Sequence, residues 1–83
     1  MNVHVYDTHV TTESGRYLHF DVLVDDTNVK NVGEYIQRYL KSLHIEQSKI
    51  SSSRCYFCHS EIANPEVQQD IAEQGYSILP LRT

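Results

Sequence analysis

Two stretches near the start alternate between apolar and polar residues with the period of a strand. In residues 2–10, Val3 and Val5 point one way while Tyr6, Thr8 and Val10 point the other. Residues 16–24 give the clearest strand of the chain. Leu18, Phe20, Val22 and Val24 share one face, and Tyr17, His19, Asp21 and Leu23 share the opposite one. The turn material of residues 11–15 joins the two as a hairpin. A three-residue loop, Glu13-Ser14-Gly15, puts glycine where a type I turn followed by a bulge needs a positive φ. Thr12 then faces Arg16. Counting back sets His9 opposite His19 and Asp7 opposite Asp21, all on one face. Like charges directly opposite each other cost stability. Water and lysines screen that face, or a cation sits there, or the register slips by one residue and moves all these pairings.

After a polar loop at residues 25–28 the period becomes helical. Val32, Ile36, Tyr39, Leu40 and Leu43 form one stripe, which predicts a helix over residues 31–43. Asn31 and Glu34 have capping-box spacing, with Asn28 as the alternative cap. His44 follows, at the end of the helix where a cation is favoured. Residues 49–54 predict a short, serine-rich strand that runs into the stretch 55–59. Asn64-Pro65-Glu66 is a strong helix start: an N-cap, a proline at the first position and an acid in the first turn. Val67 and Ile71, with Ala72 beside them, supply the apolar side, and Gly75 ends the helix. Residues 76–81 predict the last strand, which Pro80 marks as an edge. The expected fold is a single α+β domain over residues 1–83. Its order is β-β-α-β-α-β, with a mixed sheet, an N-terminal hairpin and two helices packed on the sheet.

At 83 residues the core is thin, because a chain of this size hides only about 60–65% of its unfolded surface. A homodimer is an expectation on that ground, with the last strand as a candidate edge. The formal charge is −4 and the basic residues are scattered, so nothing resembles the positive footprint of a nucleic-acid binder. No apolar run nears the roughly 18–20 residues of a membrane helix, and residues 1–7 do not read as a signal segment. No membrane association and a cytoplasmic location with reduced thiols are therefore expected. The two cysteines are too few for a secreted disulfide scaffold.

Cys55-Tyr56-Phe57-Cys58-His59 is the segment whose spelling carries chemistry by itself. Its spacing matches covalent haem attachment. Haem is disfavoured, because the one methionine is Met1 and no export pattern accompanies the motif. Zinc or iron is the next expectation, with Cys55, Cys58 and His59 as ligands. A fourth ligand then comes from His4, His9, His19 or His44, and His19 is the one favoured. A dithiol redox site is a further alternative, although the confident helix starts only near Pro65. The plain alternative is that Cys55, Phe57 and Cys58 pack under the sheet while Glu61 satisfies His59. Asp7, His9 and Asp21, together with His19, form a second candidate, a polar site where carboxylates orient imidazoles. Its plain alternative is a solvated sheet face.

Three motifs in order resemble the shared signatures of a small bacterial family catalogued as a domain of unknown function, number twenty-twenty-four. They are His4-Val5-Tyr6-Asp7-Thr8, His19-Phe20-Asp21 and Cys55-Tyr56-Phe57-Cys58-His59-Ser60. Pro65-Glu66-Val67 and Gly75-Tyr76 fit as well, so the resemblance spans nearly the whole chain. It implies a compact α+β domain of about this length and no particular activity. This chain has His9 where members of that family tend to have tyrosine, so no family-wide His9–His19 site is implied. The leading functional expectation is a small binding or regulatory module without catalytic activity, given no complete catalytic constellation, phosphate loop or basic patch. The alternative is a metal-binding or thiol-redox protein using the C-x-x-C-H motif.

Overall fold

A computed structural model of the chain describes residues 1–82. Strand β1 (Asn2–Thr12) and strand β2 (Tyr17–Val24) form the expected hairpin. The chain then winds through a 3-10 segment (Asp26–Asn31) straight into helix α1 (Val32–Ser42). Strand β3 (Ile50–Ile62), helix α2 (Pro65–Gln74) and strand β4 (Ser77–Arg82) complete the order β-β-α-β-α-β. The four strands lie in one sheet in the order β3-β1-β2-β4. No helix among the described residues is long and apolar enough to cross a membrane.

Every pairing in the sheet is antiparallel, which corrects the expected mixed sheet. The return through α1 does point β3 the same way as β2, but β1 lies between them. The second helix joins the same end of the two edge strands, so β4 runs against its neighbour β2. No two parallel strands become neighbours.

The hairpin register is the one the loop length requires. Asp7 faces Asp21, and His9 faces His19. Gly15 takes a φ of +90°, its N–H donates to the Thr12 carbonyl at 3.0 Å, and the Thr12 N–H donates to the Arg16 carbonyl at 2.9 Å.

The two helices cover opposite faces of the sheet. Helix α1 sets Val32, Tyr35, Ile36 and Leu40 on Val10, Leu18, Phe20, Val22 and Val24. Full burial of each such side chain contributes roughly 1.5–3 kcal/mol. Helix α2 brings Ile71, with Val67 beside it, onto Val3, Val5 and Leu23; Ala72 is exposed and does not join that side. Three valines and leucines are enough to seat only one end of that face. Among the described residues no helix packs on its other end, around Asp7, His9, His19 and Asp21.

The helix entries differ from one another. Asn64 caps α2 as expected, its side-chain oxygen accepting the Val67 N–H at 2.8 Å, and Gly75 ends that helix at a φ of +94°. Asn31 makes no capping hydrogen bond at α1. Asp25 caps the preceding 3-10 turn in its place, accepting the Asn28 N–H at 3.1 Å. The backbone is already wound when it reaches Val32, so its first N–H groups are not left without partners. Asn28 accepts the Tyr35 hydroxyl at 2.6 Å instead of capping. His44, expected only to favour the helix end by charge, closes α1 with a φ of +62°.

Candidate functional site

Opposed residues of an antiparallel pair share a face. The uncovered half-face therefore carries Asp7 and His9 from β1, Tyr17, His19 and Asp21 from β2, and Arg54 and Tyr56 from β3. Asp7 lies at the centre. One carboxylate oxygen accepts His19 Nε2–H at 2.5 Å, and the other accepts His9 Nε2–H at 2.8 Å. The two imidazole rings stack with centroids 4.1 Å apart and planes 15° from parallel. Tyr17 completes the group, its hydroxyl 2.5 Å from His9 Nδ1. With both Nε2 atoms donating to Asp7, the Tyr17 hydroxyl donates to His9 Nδ1 when that ring is neutral and accepts from Nδ1–H when it is charged.

This arrangement divides the cost of pairing Asp7 with Asp21 unequally. Burial pushes the Asp7 carboxyl up, but hydrogen bonds from His19 and His9, and their charge, outweigh it and hold Asp7 below its ordinary range. Asp21 is raised, first by burial and then by the negative charge of Asp7. One acid is kept ionised by its imidazoles; the other carries the cost.

Asp7, His9 and His19 each offer a ligand atom, and these atoms lie within 4.8 Å of one another. Among the described residues this is the one group of three or more such side chains that could hold a metal ion. Zinc bonds of about 2.0–2.1 Å set tetrahedral ligand atoms roughly 3.3 Å apart. The ligand atoms thus stand up to about 1.5 Å farther apart than a bound zinc ion would set them. The three side chains are 28–32% exposed, so they are held by neighbours and still reached by solvent. Beside them runs a shallow groove of about 410 Å³ lined by His9, Thr11, Tyr17, Ser52, Arg54 and Tyr56.

The C-x-x-C-H motif is not gathered in this way. Strand β3 carries a bulge there: Tyr6 pairs with Phe57 and Val5 with His59, which leaves Cys58 as the extra residue. Cys55 faces Thr8 on the α1 side, and its sulfur accepts the Thr8 hydroxyl at 3.6 Å. His59 lies on the opposite face with Asp7. Cys55, Cys58, His59 and His19 are thus not brought to one point as a ligand set. The cysteines and Phe57 do not pack under the sheet either, since all three are exposed. The expected partner of His59 is present, with Nε2 2.8 Å from Glu61 Oε1, and Nδ1 lies 3.2 Å from Cys58 Sγ. His4 is engaged by Ser60 and Asp26 on the α1 face, and His44 lies in the turn after α1. Neither belongs to the Asp7 group.

Sequence reasoning put Tyr17 on the face of His19 without joining it to the group, and it missed Arg54 and Tyr56. Tyr17 was legible, because the residue two before His19 on its strand is the diagonal neighbour of His9. Arg54 and Tyr56 were not, because they face His9 and Asp7, residues more than forty positions away in the chain.

Fold and site together define a small α+β protein, a four-stranded antiparallel sheet with one polar half-face left open by its helices. The chain belongs to the family described as a domain of unknown function (DUF2024), whose model matches residues 1–81. It is similar to the structure of protein NE1680 from Nitrosomonas europaea, a structural genomics target solved by NMR. The two are 34% identical with a TM-score of 0.75, over 99% of this chain and 96% of that one. No curated protein matches the sequence.

Proposed function

We propose that this protein is a small binding module that holds one divalent transition-metal ion on Asp7, His9 and His19. The observation that carries the proposal is the convergence of their three ligand atoms within 4.8 Å on an open sheet face. Two imidazoles and one carboxylate suit zinc and ferrous iron alike. On binding, each Nε2 exchanges its hydrogen bond to Asp7 for a bond to the metal, and the ring proton moves to Nδ1. Tyr17 accommodates that change, because its hydroxyl accepts from His9 Nδ1–H as readily as it donates to the bare nitrogen. A further ligand would reach such an ion from solvent or along the neighbouring groove, since all three side chains are partly exposed. The raised acid Asp21, opposite Asp7, gains from any cation seated there.

Calorimetric titration of chelator-treated protein with zinc and with ferrous iron under anaerobic conditions tests this reading. One ion bound per chain is expected, with loss of binding in His19→Ala and no loss in a Cys55→Ser/Cys58→Ser double variant. Binding that survives His19→Ala, or no binding in the unaltered protein, rejects it.

A second reading has its own observation. Glu61, His59 and Cys58 form a chain of contacts in which a carboxylate orients an imidazole beside an exposed thiol. That is the arrangement that activates a cysteine nucleophile. Cys58 should then react with iodoacetamide faster than Cys55 in the same molecule, and His59→Ala should remove the difference. Equal rates for the two thiols reject it.

A further inference from the structure

We infer that β3 pairs antiparallel with β3 of a second copy, about a two-fold axis at its bulge, so that two sheets join into one of eight strands. Strand β3 is 13 residues long, and Ser51 to Ile62 are exposed throughout. It contains no lysine and no proline, the residues that commonly protect an edge from pairing. The opposite edge, β4, carries Pro80. Exposed aromatic surface is concentrated on β3, where Tyr56 and Phe57 are more than half exposed.

The bulge and the charges on either side of it together select the register. Joining two sheets edge to edge keeps each face continuous, so paired residues must lie on the same face. The bulge shifts that alternation at Cys58, so Ser52, Arg54 and Tyr56 share a face with His59 and Glu61, while Ser53, Cys55 and Phe57 share the other with Ser60 and Ile62. A pairing centred on a residue brings opposite faces together once it crosses Cys58, and one centred between Cys58 and His59 stays in phase but leaves Arg54 without Glu61 opposite it. Centred between Phe57 and Cys58, it stays in phase on both sides of the axis. Tyr56 then meets the second copy's His59, Cys55 meets its Ser60, and Ser53 meets its Ile62. Arg54 meets the second copy's Glu61, and symmetry repeats that pair. Arg54 makes no salt bridge within its own chain among the described residues, so the pairing supplies a counter-charge it otherwise lacks.

The consequence for the site is direct. Arg54 and Tyr56 line the groove beside His9 and Tyr17. In the dimer that wall continues into His59 and Glu61 of the second copy. Nothing in the pairing requires a metal, so chelator-treated protein dimerises as well, and a negative zinc titration leaves the inference standing.

Sedimentation equilibrium of chelator-treated protein tests it, with circular dichroism to confirm that each variant is folded. The expected species has twice the 9.6 kDa chain mass. Arg54→Glu and Glu61→Arg each place like charges opposite one another and should weaken dimerisation about tenfold or more. The R54E/E61R double variant restores the opposite charges and should recover it. A short bis-maleimide should join two copies of Cys55→Ser through Cys58, which lies at the axis. It should not join two copies of Cys58→Ser, because the Cys55 residues stand about 14 Å apart along the strands, the span from Thr8 to His4 on β1. A monomer at all concentrations overturns the inference. A dimer indifferent to the charge swap, or capture of a different protein in place of the second copy, does so too.

Discussion

Asp7 and Asp21 face each other across the first hairpin, yet their surroundings divide the electrostatic cost unequally. Asp7 is held below its ordinary value of 3.8 by two imidazole hydrogen bonds that outweigh burial. It therefore contributes stability above that value, and the contribution is lost as the pH falls through the lowered folded value. Asp21 is raised by burial and by Asp7, so the sign reverses. Its ionised form costs stability above its raised folded value, and acid relieves the cost. Asp21→Asn should stabilise the protein at pH 7 by up to about 1 kcal/mol, the scale of one cross-strand pair. Urea unfolding should show the gain shrinking as the pH falls, and vanishing once Asp21 is protonated in both folded and unfolded chains.

Each element owes its limits to a particular local device, and the devices are not equally exposed to substitution. Asn64 caps α2 through its side chain, whereas Asn31 at α1 does not cap. Asn64→Ala should cost about 1 kcal/mol, and Asn31→Ala a few tenths at most. Gly75 has a second duty beyond its φ of +94°: a Cβ there would collide with the Tyr35 hydroxyl, which is bonded to Asn28. Gly75→Ala should therefore cost more than the roughly 1 kcal/mol of a left-handed alanine alone, and thermal unfolding of the three variants ranks them. The difference between the two asparagines was not visible in the spelling. Asn31 and Glu34 have the spacing of a capping box, but Asp25 starts the winding a turn earlier and leaves Asn31 nothing to cap. Gly75, by contrast, was legible as a helix stop because its conformational demand is local. Its clash with Tyr35 was not, since that residue arrives from the other helix.

At the scale of the molecule, the helices lie on opposite faces of the sheet, and one of them is short of apolar partners. Helix α1 has a full apolar face on β2 to cover; α2 has only the end near Val3, Val5 and Leu23. The open half-face results from that imbalance. A ligand that binds only the folded state raises its stability by mass action. Saturating zinc should raise the melting temperature of the unaltered protein, by about 2.7 kcal/mol of stability at one hundred times the dissociation constant. The same addition should leave His19→Ala unmoved in a thermal melt.

Local periodicity was enough to place the elements in order, and the loop length offered the register that pairs Asp7 with Asp21 and His9 with His19, because these rest on contacts between residues close in sequence. Only the ladder itself closes the alternative of a one-residue slip, and β3, expected as a short strand over residues 49–54, runs to Ile62. Strand direction in the sheet, the exposure of the cysteines and the company of the histidines were decided by long-range packing. Strand β3 docks beside β1 rather than β2, and a bulge at Cys58 turns the C-x-x-C-H residues to different faces. Spacing along the chain cannot convey either result, because each depends on which edge a distant strand finds free and on where its ladder slips.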